Sequence, residues 1–422
     1  MAQIVITGHT SFSNRGNEAL IRSIIQALAA SIPNAAFTVF SQSPRMDNNA
    51  YEKERLCVRF LQLTYNPASY AKRGKAWYFL QTRLGLSIPG WTRVDPISYQ
   101  AVKNCDLLVV SGGDLFSGYG LDAMKQHASL ALIASALKKP VIIYAHSFNP
   151  FPTQEELEFG RFFLNQATLI TVREKISERY LKEIGIRTPI YLAADPAFLL
   201  PCAPLTRVES IMASEGIPTD QPLAGISASA GMAWYVEGAY DKYLTILAAL
   251  ADYLIERHGL RVVFVPHVVG PNMFGGDDRR ASDEVIERVK SQHGAFPIRG
   301  EYNCSELKGL AGRCQLFVGS RMHATVASAS MLVPTINLAY SIKAHGVLGD
   351  LVQSRTIVYN VKELQLGDLL CRVDDLLDNW DAVVRELSIN LVRVKERAQV
   401  TPMLAAKLIS GKQIQAPVAD KG

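Results

Sequence analysis

The sequence predicts an α/β protein with two doubly wound, mainly parallel sheets facing each other across a cleft, a GT-B-like arrangement of two Rossmann-like domains. Three observations carry this. Short β-branched or aliphatic runs alternate with amphipathic helical stretches from end to end. The alternation lapses in a proline-containing, weakly periodic stretch over 201–222 and then restarts. At 422 residues the chain also exceeds what one hydrophobic core usually supports. The expected domains are therefore 1–200, a linker over 201–222, and a second domain over 223–385. Residues 386–422 are expected to form a C-terminal helix and tail that cross back to the first domain.

Taken in chain order, strands are expected at 4–7, 36–40, 107–111, 141–144 and 169–172, with helices at 18–30, 122–137, 154–165 and 175–184 between them. After the linker, strands are expected at 223–227, 262–265, 315–318 and 335–338, and one long helical pattern runs over 368–409. In open sheets of this kind ligands sit beyond the carboxyl ends of the strands, so the loops that follow strands are the ones to read for chemistry.

The most informative of these is Val318-Gly319-Ser320-Arg321-Met322-His323-Ala324. An apolar run breaks at Gly-Ser, with Ser320 expected as N-cap, and delivers Arg321 and His323 into the first turn of a helix of small residues. Unpaired backbone N–H groups and the partial positive charge of a helix start, together with the Arg321 fork, make an anion site. The structural alternative is an arginine bonding a neighbouring carbonyl and a histidine satisfied inside the fold.

Other loops add to it. After the first strand, Asn14-Arg15-Gly16-Asn17-Glu18 lacks the Gly-x-Gly-x-x-Gly spacing of a dinucleotide site. It reads equally as a sugar-binding loop or as a plain connection. Gly112-Gly113-Asp114 follows the third strand, where paired glycines let a ligand approach the backbone. Arg173 opens the helix after the strand at 169–172 and repeats the Arg321 geometry. Two such arginines, one per domain, could clamp one anion; the alternative is a salt bridge from Arg173 to Glu174 or Glu178. His267 lies on a loop after a strand, and Asp277-Asp278 beyond it read as helix caps rather than metal ligands. Tyr340 and Lys343 follow the strand at 335–338 and put a second cation near the Arg321 loop.

Composition bounds the partners. A net charge of +5 suits an anionic substrate or an anionic membrane surface. No basic tail, zinc-finger spacing or arginine-rich run appears, so nucleic acid is not expected. Six cysteines, widely spaced and without a Cys-x-x-Cys pair, read as reduced and mostly buried residues of a cytosolic protein, and no metal spacing is present. The chain opens directly on a strand, so no signal peptide is expected. A basic, aromatic segment at 65–91 reads either as an interfacial helix meeting a membrane-bound acceptor or as a helix with a solvated cationic face packed in its own domain.

Together these loops resemble the polysaccharide pyruvyl transferase family. The matching residues are Asn14-Arg-Gly-Asn-Glu-Ala-Leu20, Ser111-Gly-Gly-Asp114, Val172-Arg-Glu-Lys-Ile-Ser177, Asp195-Pro-Ala197 and Val265-Pro-His267. Further on come Gly319-Ser-Arg-Met-His-Ala324, then Pro334 and Tyr340-Ser-Ile-Lys343. The resemblance covers roughly residues 1–350 in order. It implies a two-domain, glycosyltransferase-like architecture and transfer of the pyruvyl skeleton of phosphoenolpyruvate onto two hydroxyls of a sugar, with release of phosphate and closure of a cyclic ketal. It places Arg321 and His323 on the donor-site motif and Arg173 on the arginine motif of the first domain. The acceptor would be a sugar or lipid-linked oligosaccharide in the cytoplasm or at the inner face of the membrane, and no cofactor or metal is called for.

The chain departs from the family pattern at Asn17-Glu18, where many relatives have Gly-Asp, and at Asp114, where a third glycine is common. Both departures fall in the expected acceptor half. A doubly anionic donor needs at least two cations, and Arg173, Arg321 and Lys343 meet that demand. His323 is the first candidate for general acid. If its imidazole stays neutral it serves instead as a phosphate hydrogen-bond donor or as the base for a sugar hydroxyl, and Asp195 becomes the second candidate for the acid. Two rival readings are a nucleotide-sugar glycosyltransferase, with Glu306 holding the ribose, and a non-catalytic glycan-binding subunit.

Overall fold

Apolar, β-branched runs build two parallel sheets. A computed structural model describes residues 1–52, 54, 56–63, 95–116, 118–235, 238–270, 276–339, 346–348, 358–360 and 363–414. The chain divides into two units. The first comprises Met1–Phe12, Leu20–Asp195 and Arg397–Gly422, and the second Ser13–Ala19 and Pro196–Glu396. The segments at 65–91 and 340–345, and with them Tyr340 and Lys343, lie outside the described residues.

The first unit holds β1 (Gln3–Thr7), β2 (Ala36–Ser41), β3 (Val58–Gln62), β4 (Leu107–Val110), β5 (Val141–His146), β6 (Leu169–Val172) and β7 (Ile190–Leu192). They form a seven-stranded sheet in the order β3-β2-β1-β4-β5-β6-β7, each pairing parallel. Both faces of the sheet are covered. Val5, Leu108 and Val110 pack in one apolar cluster while Ile4, Ile6, Leu107 and Val109 pack in another, which is the period-two alternation of a strand buried on both sides. The second cluster takes in Leu404 and Ala405 of the helix Val400–Ile409, so the C-terminal helix belongs to the first unit. Arg397 fixes its approach by donating to the Ala193 carbonyl at 2.7 and 3.1 Å.

The second unit holds β8 (Leu223–Ser227), β9 (Arg261–Phe264), β10 (Ala295–Pro297), β11 (Cys314–Gly319), β12 (Thr335–Ala339) and β13 (Val358–Asn360), in the order β10-β9-β8-β11-β12-β13. In each sheet two strands adjacent in space are far apart in sequence, β1 beside β4 and β8 beside β11, and the chain leaves them in opposite directions. Those carboxyl ends are the topological switch points of doubly wound sheets.

Several expectations are corrected. The stretch 201–222 is not a linker, because the chain changes unit at Asp195/Pro196 and the helix Leu205–Ser214 packs into the second unit. That helix buries Val208, Ile211 and Met212, each stabilising the fold by about 1.5–3 kcal/mol as an upper bound. The helical pattern at 368–409 is three helices, Leu366–Asp378, Trp380–Ala398 and Val400–Ile409. The last break precedes Pro402, which is tolerated only in a first turn. The short strands β3 and β10 lie at sheet edges; β3 carries Arg59 and Gln62 among its apolar residues and is only partly buried. Three cysteines, Cys57, Cys202 and Cys371, are exposed, so half rather than most of the six are buried.

Candidate active site

At the β8/β11 switch point of the second unit the chain turns sharply. The Ser320 N–H donates to the Ser227 carbonyl at 2.9 Å, and the Tyr243 hydroxyl donates to Ser320 Oγ at 2.7 Å. The same hydroxyl accepts the Ser229 N–H at 2.9 Å, and burial pushes this phenol up to about 12. Ser320 is thus not the N-cap expected of it. The helix is Met322–Ala329 and its N-cap position is Arg321, whose side chain makes no capping bond, so the first backbone N–H groups of the helix receive no side-chain cap.

The Arg321 guanidinium is instead gripped by Asp278, with Nε donating to Oδ2 at 3.0 Å and Nη2 to Oδ1 at 2.7 Å. Asp278 is fully buried and also accepts the N–H groups of Ala230, His267 and Val268 at 3.1, 3.2 and 2.8 Å. It therefore ties the loops after β8, β9 and β11 together. Only Asp277 acts as the cap expected of both aspartates, accepting from the Arg279 N–H at 3.0 Å.

His323 lies one residue into the helix, and Gly16 packs against its ring. A Cβ built on Gly16 would stand 2.5 Å from His323 Nδ1, so a larger residue there would displace the imidazole. The segment Ser13–Ala19 is stitched onto the loop after β9. Asn14 pairs with Val268 in an antiparallel bridge, the Arg15 N–H donates to the His267 carbonyl at 2.8 Å, and the Val269 N–H donates to the Ser13 carbonyl at 2.9 Å. Asn14 Oδ1 accepts the Gly16 N–H at 2.9 Å and so opens the helix Arg15–Ser31. Glu18, fully buried, accepts the Arg15 guanidinium and the Cys304 N–H, each at 3.1 Å. The Asn14–Glu18 motif and its Asn17-Glu18 departure thus belong to the unit that carries Arg321 and His323, not to the unit expected from their place in the first 200 residues. Chain order concealed this, because the first turn of a helix groups with one unit and its remainder with the other.

His267 is buried beside these groups, and its Nδ1 has no hydrogen-bond partner among the described residues. Burial first, then the neighbouring His323, Arg321 and Arg15, hold its pKa well below the ordinary 6.5. The sign follows. Below about pH 6.5 the unfolded chain takes up a proton that this buried ring refuses, so this part of the stability is full above that value and is lost as pH falls. Thermal midpoints of His267→Asn are expected to decline less steeply than those of the wild type as pH is lowered from about 7 to about 5, and parallel curves would assign the acid sensitivity elsewhere. Ser227 Oγ, Ser229 Oγ and Asn337 Oδ1 are likewise buried without a partner among the described residues. Asn337 pairs in register with Gly319, so these atoms gather around the same switch point.

The first unit carries a second constellation, after β4, β5, β6 and β7. Arg173 is buried; its Nε donates to Ser147 Oγ at 2.7 Å and its Nη1 to Asp195 Oδ2 at 2.6 Å. The partner is Asp195 rather than Glu174 or Glu178. Glu174 caps its own helix through the Ser177 N–H at 2.6 Å, and Glu178 pairs with Lys182 at 2.6 Å. Asp195, the second candidate for proton donor, stands instead as the counter-ion of Arg173. Gly112 and Gly113 have φ of +126° and +75°, and a Cβ on Gly113 would lie 3.2 Å from Arg173 Nη1, so the paired glycines carry the loop directly over the guanidinium. Asp114 faces His127, whose pKa burial lowers to about 4 against the opposing charge of Asp114.

His127, Ser147, Tyr243 and Asp278 were not foreseen. Their roles depend on partners tens of residues away, and only Asp278 had a local signal, as the second of two aspartates at a helix start. Glu306 is committed elsewhere: it completes a capping box with Asn303 and pairs with Arg207 at 2.7 Å. Among the described residues no cluster of metal-ligating side chains occurs, and no helix is long and apolar enough to cross a membrane.

Two Rossmann-like units, with basic residues at the strand ends of both, place this chain in the GT-B-like class of α/β proteins. It belongs to the polysaccharide pyruvyl transferase family, whose model matches residues 14–342. It is 23% identical over 411 residues to the amylovoran biosynthesis protein AmsJ of Erwinia amylovora, covering 92% of this chain and 94% of that one. Among solved structures, UDP-GlcNAc 2-epimerase from Neisseria meningitidis bound to UDP-GlcNAc is similar at a TM-score of 0.61 and 12% identity, covering 96% of this chain and 100% of that one. Anabaena Alr3699/HepE in complex with UDP and glucose is similar at 0.60 and 12%, covering 98% and 100%. At such identities the structural likeness speaks for the fold alone.

Proposed function

We propose that this protein transfers the pyruvyl group of phosphoenolpyruvate to two hydroxyls of one sugar in an exopolysaccharide or cell-surface glycan, or its precursor, in the cytoplasm. Family membership and a relative named for exopolysaccharide biosynthesis support the reading. The observation that carries it is the anion site at the β8/β11 switch point. There a helix start without a side-chain cap, an arginine fixed in angle by a buried carboxylate and several buried polar atoms with no partner among the described residues converge. Buried polar groups normally find partners, so a group of orphans around one arginine suits a polar ligand.

The chemistry balances without a redox partner. A proton added to the donor methylene makes the methyl group and leaves an oxocarbenium-like carbon, which one sugar hydroxyl attacks, its proton returning to the group that protonated the methylene. The C–O bond to phosphate then breaks, the second hydroxyl attacks the same carbon, and its proton leaves with phosphate. Arg321 and the backbone N–H groups of the helix start hold the anion and stabilise the charge on the departing phosphate. In this reading His323, one residue into that helix, moves the proton. His267 stays neutral at physiological pH and offers an imidazole nitrogen for a hydrogen bond rather than a labile proton.

Thermal unfolding in phosphoenolpyruvate, inorganic phosphate and UDP-sugars tests the donor. Ligand at about 100 times its Kd stabilises a folded protein by about 2.7 kcal/mol. The wild type is expected to shift with phosphoenolpyruvate, and Arg321→Ala is not. A shift with a UDP-sugar and none with phosphoenolpyruvate would make the protein a glycosyltransferase instead.

A further inference from the structure

The chain leaves β8 at Ser227 and makes a tight turn before the helix Tyr240–His258. Within it the N–H groups of Met232, Ala233 and Trp234 donate to the carbonyls of Ser229, Ala230 and Gly231 at 3.2, 3.3 and 3.0 Å, and the short helix Met232–Tyr235 follows. Met232 is fully buried and pins the inner side of the turn. Trp234, two residues on, is 77% exposed, while Trp380, the other described tryptophan, is 38% exposed. The turn also borders the arginine: a Cβ built on Gly231 would lie 3.3 Å from Arg321 Nη1 and 3.4 Å from Ser229 Oγ. One turn of chain therefore touches the Arg321 guanidinium at Gly231 and presents a bare indole at Trp234.

From this juxtaposition we propose that Trp234 is a stacking platform for a pyranose ring of the acceptor glycan at the rim of the Arg321 site. The assignment rests on the pyruvyl-transfer reading and adds to it where the acceptor sits. The ring face of an indole carries negative electrostatic potential, which repels a carboxylate or phosphate, so this surface does not suit the doubly anionic donor. A neutral pyranose presents a face of C–H groups that packs on such a ring while its hydroxyls stay directed outward. The geometry also answers a demand of the reaction. The sugar hydroxyls must come within bonding distance of a carbon one C–O bond from the phosphate, so the acceptor ring has to lie beside the arginine that holds that phosphate. An aromatic side chain has only two torsions to lose on binding, which suits a platform.

The test uses the full-length protein, with Trp234→Ala and Trp234→Phe. Because the side chain is exposed, both variants are expected to keep the wild-type thermal midpoint. Binding is read on an array of galactose-, glucose-, mannose- and N-acetylglucosamine-containing oligosaccharides, without donor, alongside the phosphoenolpyruvate thermal shift. The expected result is glycan binding by the wild type, weakened about 10-fold or more in Trp234→Ala and less in Trp234→Phe, with the phosphoenolpyruvate shift unchanged in both. Equal glycan binding by wild type and Trp234→Ala, or no glycan binding by the wild type, overturns the assignment. So does a UDP-sugar shift that Trp234→Ala abolishes, which would make the ring a nucleobase platform. Loss of the phosphoenolpyruvate shift from the wild type itself would refute the donor reading while leaving the glycan result to decide the role of Trp234.

Discussion

Replacing His323 with alanine is expected to lower turnover by at least about 100-fold, the usual scale for losing a group that moves a proton in the transition state. The reason is positional. His323 sits one residue into a helix whose N-cap position is Arg321, so the imidazole and the guanidinium leave the backbone two residues apart at one strand end. Gly16 then closes against the ring and limits where it can turn. Phosphate release measured with the acceptor glycan reads the chemistry, and the phosphoenolpyruvate thermal shift of the same variant reads donor binding. A large loss of turnover with the shift intact assigns His323 to proton transfer. Loss of both assigns it to holding the donor phosphate. Near-normal turnover would remove His323 from the chemistry altogether.

How far this site was legible in the sequence follows from the range of the interactions that build it. Arg321 and His323 could be found because their placement is local: an apolar strand, a Gly-Ser break and a run of small residues occur within a few positions. The alternation of strands and helices was legible for the same reason, since most strands are buried on both faces and read as continuous apolar runs. The edge strands β3, β7, β10 and β13 were not, because β7, β10 and β13 have three residues each, too few to show a period, and β3 breaks its apolar run with Arg59 and Gln62. Long-range partners left no trace. Ser320 has the composition of an N-cap, but Tyr243, from a helix 77 positions earlier, donates its hydroxyl to it. Asp195 stands in a matching motif, and only the sheet order makes it the counter-ion of Arg173. The docking of Ser13–Ala19 onto the loop after β9 is made mostly by backbone hydrogen bonds, which residue identity does not encode.

The Arg321–Asp278 pair should give the largest coupled effect on stability and activity. Asp278 is fully buried and the Arg321 side chain 12% exposed, so removing either partner leaves a charge in a poorly hydrated place. Arg321→Ala and Asp278→Ala are each expected to destabilise the fold by about 3 kcal/mol, the scale of a broken buried pair rather than of a surface salt bridge. The two losses should not add. Once one partner is gone the other has little left to lose, and the double variant should fall short of the sum by about 1–3 kcal/mol in denaturant unfolding. Additive losses would mean that Asp278 acts through its backbone bonds to Ala230, His267 and Val268 and not through the arginine. Activity separates the partners further. Arg321→Ala removes the cation and is expected to cost about 100- to 1000-fold in kcat, as when one preorganised donor to a developing anion is lost. Asp278→Asn keeps the shape and one acceptor oxygen, enough for the His267 and Val268 N–H groups, but turns an amide NH2 towards the Ala230 N–H and the guanidinium and so releases the arginine from its fixed angle. Its expected signature is therefore a fall in kcat while phosphoenolpyruvate still binds, because a mobile arginine can meet the ground-state anion yet is no longer aimed at the phosphate as it departs.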